Sequence, residues 1–150
     1  SEDRAGGDFI YVNKWVQPDY GDVVVVYAEV SGASGIITRG NLIKRAVAFG
    51  GDTVEIKEGV LYRNGEEVDE SGYIQPDRNS PLLNNFSAHT VKEGCMFLLG
   101  DNRNKSSDSR EYGDFPLSSL VGVVPQWSMD CKDFTTSVYT YFNFTILGKN

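Results

Sequence analysis

The sequence predicts a mainly β protein. Residues 23–27 are four valines and a tyrosine in a row, which is typical of a strand buried on both faces. Asn64 and Gly65 lie between short alternating runs and favour a type I′ hairpin, because both central positions of that turn need φ > 0. No segment shows the 3.6-residue apolar period of an amphipathic helix. Strands joined by tight turns are therefore expected throughout.

Composition limits the possible classes of protein. The 150 residues are 40% hydrophobic, enough to bury one core with or without a small subdomain. A formal net charge of −7 argues against nucleic acid and against adhesion to anionic lipid, since both need basic patches. Cys95 and Cys131 are too few for a disulfide scaffold, and no spacing of His or Cys suggests a metal or other cofactor. Neither a signal peptide nor an apolar run long enough to span a membrane is present.

The elements follow in order from the N-terminus. Residues 7–14 alternate well enough for a strand, and a Pro-Asp-Tyr-Gly turn separates them from the valine block. After a Gly/Ser-rich turn at 31–35, another strand is expected to begin within 36–39. Residues 53–70 carry two turn signals between short alternating runs, which predicts a β-meander.

A charged pair interrupts the apolar segment 41–49. Lys44 and Arg45 follow Leu42 and Ile43 directly. Two interpretations stay open at this point. One is an edge strand whose charges discourage aggregation. The other is a functional lysine directed into a partly apolar cleft.

The connector and the tail have different characters. Residues 71–92 are loop-like, and the single histidine there, His89, is interpreted as a surface residue, so a Ser-His-Asp mechanism has little support. Residues 134–147 place apolar and aromatic side chains at period two, which predicts a long C-terminal strand. Such a strand must be buried against this domain's sheet or a partner chain.

A polar loop at residues 100–110 follows the apolar run 95–99 directly. Composition alone favours a solvated turn. The alternation of acidic residues and arginines instead indicates a loop held at the edge of a sheet by its own ion pairs and hydrogen bonds. A loop of that kind is a candidate functional site.

Three motifs, in the family's order, resemble the type I signal peptidases. The string Gly-Asp-Asn-Arg-Asn-Lys-Ser-Ser-Asp-Ser-Arg at 100–110 matches every fixed position of their motif Gly-Asp-Asn-Arg-x-x-Ser-x-Asp-Ser-Arg. Lys-Arg-Ala-Val at 44–47, followed by Gly-Asp at 51–52, is similar to their lysine motif, and residues 7–14 resemble their Gly-Asp-x-(Ile/Val)-x-Val-x-Lys strand. The resemblance covers residues from about 7 to 124.

The resemblance implies coiled antiparallel β-sheets of the signal peptidase catalytic-domain type, with a small inserted lobe. The expected organisation is one extracytoplasmic domain, with a core at about 7–60 and 93–128, a variable lobe at about 61–92 and the C-terminal aromatic strand at about 134–147. Because the family carries a membrane anchor ahead of the catalytic domain, a single N-terminal anchor is expected outside this fragment. The expected location is the extracytoplasmic face of the cell membrane.

The resemblance also implies a chemistry, in which a serine attacks and a lysine acts as general base. The lysine must be neutral, so burial has to lower its pKa well below about 10.4. Lys44 takes the general-base position, and Ser106 is expected to orient it. The structural residues of the site loop are expected to be Asp101, Asn102, Arg103, Asp108 and Arg110, with Asp108 and Arg110 in a salt bridge that Asp101 and Arg103 support. The substrate-binding residues are expected to be Ile10, Asn41, Leu42 and Ile43. Ile10, Leu42 and Ile43 are expected to line shallow pockets for small substrate side chains, and Asn41 to Ile43 are expected to pair with an extended polypeptide by strand addition.

Two departures from the family pattern concern the chemistry. The nucleophile motif Ser-Met-x-Pro-Thr-Leu has no match in residues 1–6, where Asp3 would lie near the nucleophile's place. The family's Gly-x-Pro-Gly-Asp has become Ala-Phe-Gly-Gly-Asp at 48–52, which lacks both the first glycine and the turn proline. In these respects the chain is similar to the SipA-type signal-peptidase-like proteins of streptococcal pilus loci, which keep the fold but lack the complete dyad.

The sequence therefore favours a non-catalytic, membrane-tethered accessory that binds an extended polypeptide, either a signal peptide or a pilin subunit, during assembly of surface proteins such as pili. The alternative is an active signal peptidase that cuts at Ala-x-Ala sites, with its serine upstream of Ser1. Whether the protein is an enzyme stays open between these two. A purely structural domain is a third possibility, which would leave the intact site loop unexplained. Neither the pairing of the cysteines nor the oligomeric state is indicated.

Overall fold

The computed structural model describes residues 11–31, 33–129 and 146–147. These residues form two antiparallel sheets and two four-residue helices, so the prediction of a mainly β fold is confirmed. The strands are β1 (Val23–Ser31), β2 (Ile37–Phe49), β3 (Thr53–Lys57), β4 (Val60–Arg63), β5 (Glu66–Glu67), β6 (Phe86–Thr90), β7 (Cys95–Leu99), β8 (Phe115–Pro116), β9 (Leu120–Val124) and β10 (Ile146–Leu147). The helices are α1 (Ser109–Tyr112) and α2 (Gln126–Met129).

The long strand β2 is the spine of the larger sheet, whose order is β8-β7-β2-β1-β9 with β10 also paired to β2. One edge of β2 pairs with β1 along residues 37–45. The other edge is shared, since β7 pairs from Arg45 onwards and β10 pairs at Asn41 and Leu42. The edge-strand interpretation of the charged pair is therefore wrong. Lys44 is 1% exposed and Arg45 is 6% exposed, inside a strand that has neighbours on both sides.

The smaller sheet has the order β5-β4-β3-β6, and this sheet together with the connection between β5 and β6 is called the lobe below. Asn64 and Gly65 have φ values of 57° and 84° and connect β4 to β5, as a hairpin with two positive-φ positions requires. The sheet also includes β3, so it begins earlier than the predicted lobe of residues 61–92. Between β5 and β6, a 3₁₀ turn at Pro76–Arg78 lies in a long connection.

The core lies on both faces of the larger sheet and between the two sheets. The four consecutive valines Val23 to Val26 are buried, as predicted, whereas Tyr27 at the end of the predicted block is exposed. The valines alternate between faces: Val24 packs with Leu42, and Val25 packs with Ile43. A third apolar cluster joins the sheets, with Val47 and Phe97 from the larger one and Val54, Ile56 and Leu61 from the smaller one. Lys44 therefore lies in a strand that contributes Leu42, Ile43, Ala46 and Val47 to these apolar clusters.

Several predicted features lie outside the described residues. They are Asp3, Ile10, Cys131, the first part of the 7–14 strand and residues 134–145 of the predicted C-terminal strand. Within the described part of 7–14, Asn13 forms an isolated antiparallel bridge with Val123. Of the predicted C-terminal strand, β10 is described, and it pairs with β2. Over the described ranges, none of the helices has the length and apolar character needed to cross a membrane.

Candidate active site

The candidate site forms where the loop after β7 folds back over β2. One carboxylate closes the base of this loop. Asp108 accepts the backbone N–H of Gly100 at 3.0 Å, and it also accepts the N–H of Arg110 at 3.1 Å as the cap of α1. Because the same side chain binds both ends of the loop, the residues between them are held as a unit.

Within the loop, a tight turn brings Ser106 to the buried lysine. The Asn102 carbonyl accepts the N–H groups of Lys105 at 3.1 Å and of Ser106 at 2.9 Å. From this turn, the Ser106 Oγ accepts a hydrogen bond from Lys44 Nζ at 3.0 Å. The two residues are 62 positions apart in the sequence, and the fold brings their functional atoms together.

The environment of Lys44 favours its neutral form. Burial lowers the pKa of Lys44 from 10.5 to about 8. The negative charge of Asp108 opposes this change, and the positive charge of Arg110 adds to it. Near pH 8 the neutral and protonated amines are therefore similarly populated, and the neutral amine can accept a proton.

The predicted pair of Asp108 and Arg110 is present and is bidentate. Arg110 Nε donates to Asp108 Oδ1 at 2.9 Å, and Arg110 Nη2 donates to Asp108 Oδ2 at 2.9 Å. Burial by itself raises the pKa of Asp108, but the hydrogen bonds and charge of Arg110, with the Gly100 N–H, hold that pKa below 3.8. Arg110 Nη1 also donates to Asn84 Oδ1 at 3.0 Å, so the loop is attached to the lobe.

The neighbour of the lysine forms a second buried pair. Arg45 Nε donates to Asp101 Oδ1 at 2.9 Å, and Arg45 Nη2 donates to Asp101 Oδ2 at 2.7 Å. The Arg45 guanidinium lies 3.7 Å from the centre of the Tyr73 ring and donates to the Gly21 carbonyl at 2.7 Å. Arg45 therefore clamps the start of the loop to β2, next to Lys44.

A third buried pair connects the loop to the lobe. Arg103 donates to both carboxylate oxygens of Glu70, at 3.0 and 2.8 Å, and its Nε donates to the Gly100 carbonyl at 2.8 Å. The Tyr73 hydroxyl donates to Glu70 at 2.7 Å. Asp101 and Arg103 thus support the loop through partners outside it.

Sequence reasoning did not assign Glu70, Tyr73 or Asn84 to the site. Glu70 and Asn84 contact the loop across 33 and 26 positions of sequence, and Tyr73 contacts Glu70 and Arg45. Their surroundings are the loop-like stretch that shows no periodicity. No local pattern points to them, because their role depends on how the two sheets pack.

Three of the four predicted substrate-binding residues, Asn41, Leu42 and Ile43, occupy the N-terminal half of β2, and Ile10 lies outside the described residues. Leu42 and Ile43 are both buried, but they face opposite sides of the sheet. Pockets built from both side chains therefore stay a prediction. The edge of β2 at Asn41 and Leu42 pairs with β10.

Two further sequence interpretations concern a histidine and metal binding. His89 is half-buried, and its Nε2 lies 2.8 Å from Asp114 Oδ1, so it is held in place more than a surface residue would be. Its ring also lies 5.7 Å from that of Phe97. In the described part of the chain, no group of His, Cys, Asp and Glu side chains is arranged to hold a metal ion.

Comparison with known families and relatives gives a consistent result. A family model described as "Signal peptidase, peptidase S26" matches residues 2–128. The "Probable signal peptidase I-1" of Synechocystis is 33% identical over 121 residues, which cover 77% of this chain and 59% of that protein. The "Signal peptidase I" of Bacillus caldolyticus is 32% identical over 133 residues, covering 79% of this chain and 68% of that protein.

A plant relative and a solved structure extend the comparison. "Thylakoidal processing peptidase 1" of Arabidopsis thaliana is 40% identical over 80 residues, which cover 53% of this chain and 22% of that protein. The crystal structure of a signal peptidase I from Enterococcus faecalis has a TM-score of 0.57 at 28% identity, covering 73% of this chain and 98% of that one. The chain spans less than two thirds of the length of the Synechocystis and Arabidopsis relatives.

Proposed function

Because the chain belongs to the signal peptidase family, we propose that it is the lysine-bearing part of a serine/lysine signal peptidase that cuts secreted polypeptides at Ala-x-Ala sites. The observation that carries the proposal is the buried amine of Lys44, held by the Ser106 hydroxyl at 3.0 Å. The proposed location is the extracytoplasmic face of the cell membrane, with an anchor ahead of the catalytic domain.

Burial of this lysine supports a catalytic role. Removing an ammonium group from water costs several kcal/mol, and burial is the largest influence on the pKa of Lys44. The negative charge of Asp108 offsets this influence only in part, because the pKa still falls to about 8. A domain that served only as a scaffold would be more stable with an apolar side chain at this position. A general base, by contrast, needs a pKa near the working pH.

The departure from the family pattern after Ala48 leaves the local structure well formed. Asp52 accepts the N–H of Phe49 at 2.9 Å and donates its own N–H to the Phe49 carbonyl at 2.9 Å, which closes the turn without a proline. At Gly50, an added Cβ would lie 2.8 Å from the backbone of Glu93, so glycine is required there. This turn therefore supports the position of β2, and with it that of Lys44.

The proposed mechanism assigns the proton transfers to Lys44. Neutral Lys44 accepts the proton of a serine hydroxyl, which attacks the scissile carbonyl and forms an acyl-enzyme. Protonated Lys44 then donates to the leaving amine. Neutral Lys44 next accepts a proton from the water that attacks the ester carbonyl, and it gives this proton to the serine oxygen as the C–O bond to serine breaks. Ser106 keeps Nζ oriented throughout, and the serine is supplied by a segment ahead of Ser1.

The test is processing of a preprotein with an Ala-x-Ala site by the full-length encoded protein in membranes. We expect Lys44→Met to lower the rate by about 100-fold or more, as removal of a general base does. The exposed Lys92→Met is the matched control and should leave the rate unchanged. The wild-type rate should rise with pH through about 8 as Lys44 loses its proton. Equal rates for wild type and Lys44→Met would overturn the proposal.

A non-catalytic accessory of the SipA type, which binds a signal peptide or a pilin, is the second candidate. The observation that favours it is the departure from the family's lysine motif at residues 48–52, which lacks the first glycine and the proline. This candidate predicts no processing by the full-length protein, with peptide binding that does not change in Lys44→Met. The same assay, combined with a binding titration, therefore separates the two.

A further inference from the structure

The outer edge of β2 carries a strand of the chain's own C-terminal region. Strand β10 pairs with β2 in antiparallel register, with Ile146 opposite Leu42 and Leu147 opposite Asn41. On the same edge, β7 begins to pair only at Arg45. β10 therefore lies next to the segment that leads directly to Lys44. Along the strand, Leu42 and Lys44 are about 7 Å apart.

The backbone pattern shows which groups face this edge. Ala46 donates its N–H to the Asp22 carbonyl at 2.8 Å and accepts the Gly21 N–H at 2.7 Å, so its peptide groups point to the β1 side. Since peptide groups alternate along a strand, those of Leu42 also point to β1, whereas those of Asn41 point to β10. Leu147 therefore directs its N–H and carbonyl at Asn41, while those of Ile146 point away from β2.

We propose that Ile146–Leu147 is an intramolecular occupant of the strand-addition edge, and that a polypeptide must displace it before binding along Asn41 to Ile43. This inference rests on the proposed function, because it takes that edge as the polypeptide-binding edge. The peptide groups at one edge can pair with a single added strand. The chain's own strand and an extended polypeptide are consequently mutually exclusive there.

An internal occupant suits this position physically. An open edge of a sheet is a template for pairing with other chains, and covering it with a segment of the same chain prevents that. The sequence around β10 is rich in β-branched and aromatic residues, which favour the extended conformation.

The experiment compares two proline variants with wild type by titration with a synthetic peptide that contains an Ala-x-Ala sequence. Leu147→Pro removes the N–H that faces Asn41. Ile146→Pro is the matched control, because it removes an N–H that points away. We expect Leu147→Pro to bind the peptide about five- to tenfold more tightly, since apparent affinity is reduced by the fraction of closed molecules. Ile146→Pro should change the affinity by less than about twofold.

Hydrogen exchange provides a second readout without any peptide. The Asn41 amide should exchange faster in Leu147→Pro than in wild type, and the Leu42 amide, which faces β1, should not change. Unchanged exchange at Asn41 would overturn the inference. Peptide binding with the same affinity in all three proteins would overturn the inference and leave the proposed function standing. No peptide binding by any of the three would overturn both.

Discussion

At the scale of single residues, the burial of Lys44 links stability to pH. Its pKa is about 8 in the folded protein and 10.5 as the ordinary value. Between these values the unfolded chain binds a proton that the folded protein has released. The free energy of unfolding therefore rises with pH in this interval, by about 1.4 kcal/mol per pH unit or about 3 kcal/mol in all. The destabilisation that results from burying Lys44 has its full size below about pH 8 and disappears above about pH 10.5.

The measurement compares wild type with Lys44→Met by chemical denaturation between pH 7 and 10.5. We expect Lys44→Met to be the more stable protein at pH 7, with this advantage shrinking by about 3 kcal/mol at the upper end. Burial and Glu70 raise the pKa of Tyr73, so the ionisation of Tyr73 at high pH lowers the free energy of unfolding. This effect is the same in both proteins and cancels in the comparison. A stability difference that does not vary with pH would contradict the pKa change.

The pair of Asp108 and Arg110 gives a second prediction at this scale. The Asp108 side chain is fully buried, and four hydrogen bonds converge on it. Asp108→Ala leaves a largely buried guanidinium without its carboxylate, so we expect a loss of about 3 to 5 kcal/mol in denaturation experiments. The matched control is Glu29→Ala, because Glu29 pairs with Arg39 on the surface and should matter little. Equal effects of the two changes would show that the loop is only solvated.

Sequence motifs pointed to Lys44, Ser106 and the loop as candidates because these residues lie at fixed spacings along the chain. The partners of Asp101 and Arg103 could not be predicted in this way. Asp101 pairs with Arg45, and Arg103 pairs with Glu70, across 56 and 33 positions. An acidic or basic residue in a polar stretch carries no sign of its partner until the sheets are packed.

At the scale of elements, the segment between β5 and β6 supports the site loop. Glu70 lies in this segment, and Arg103, its partner, is buried in the loop. Glu70→Ala should therefore destabilise the protein by about 3 to 5 kcal/mol. It should also speed amide exchange at Ser106, because the loop loses one of its attachments. The exposed Glu67→Ala in β5, just before this segment, is the control, and a similar effect there would contradict a specific role for Glu70.

The sequence predicted strands and turns correctly where a single local property determines them. The valine block and the Asn64-Gly65 turn needed only side-chain burial and positive φ. The placement of β2 depended on long-range pairing. By composition, the charged pair Lys44 and Arg45 is compatible with an edge strand. β2 is an interior strand only because β7 and β10 pair with it on the side opposite β1. The pairing of Ile146 with Leu42 is equally non-local, since more than 100 positions separate them.

At the scale of the whole molecule, the two sheets share one apolar cluster. Phe97 of β7 is buried and lies 5.3 Å, centre to centre, from the ring of Phe86 in β6. Arg63 of β4 donates to the Val47 carbonyl of β2 at 2.9 Å. Family motifs predicted the sheets themselves, but not this interlocking, because it depends on which face of each strand turns inward. Contacts of this kind favour a single cooperative unit, as the predicted single domain requires.

Phe97→Ala tests this cooperativity. A large aromatic removed from a core costs about 3 to 5 kcal/mol. If the sheets unfold together, amide protection should fall by the same free energy at Ala46 in the larger sheet and at Leu61 in the smaller one, under conditions in which exchange reports global opening. Leu82→Ala is the control, since Leu82 is 91% exposed and its loss should change neither site. A loss of protection confined to one sheet would mean that the lobe opens independently. In that case the attachment of Arg103 to Glu70 would have to break and reform while Lys44 and Ser106 stay together.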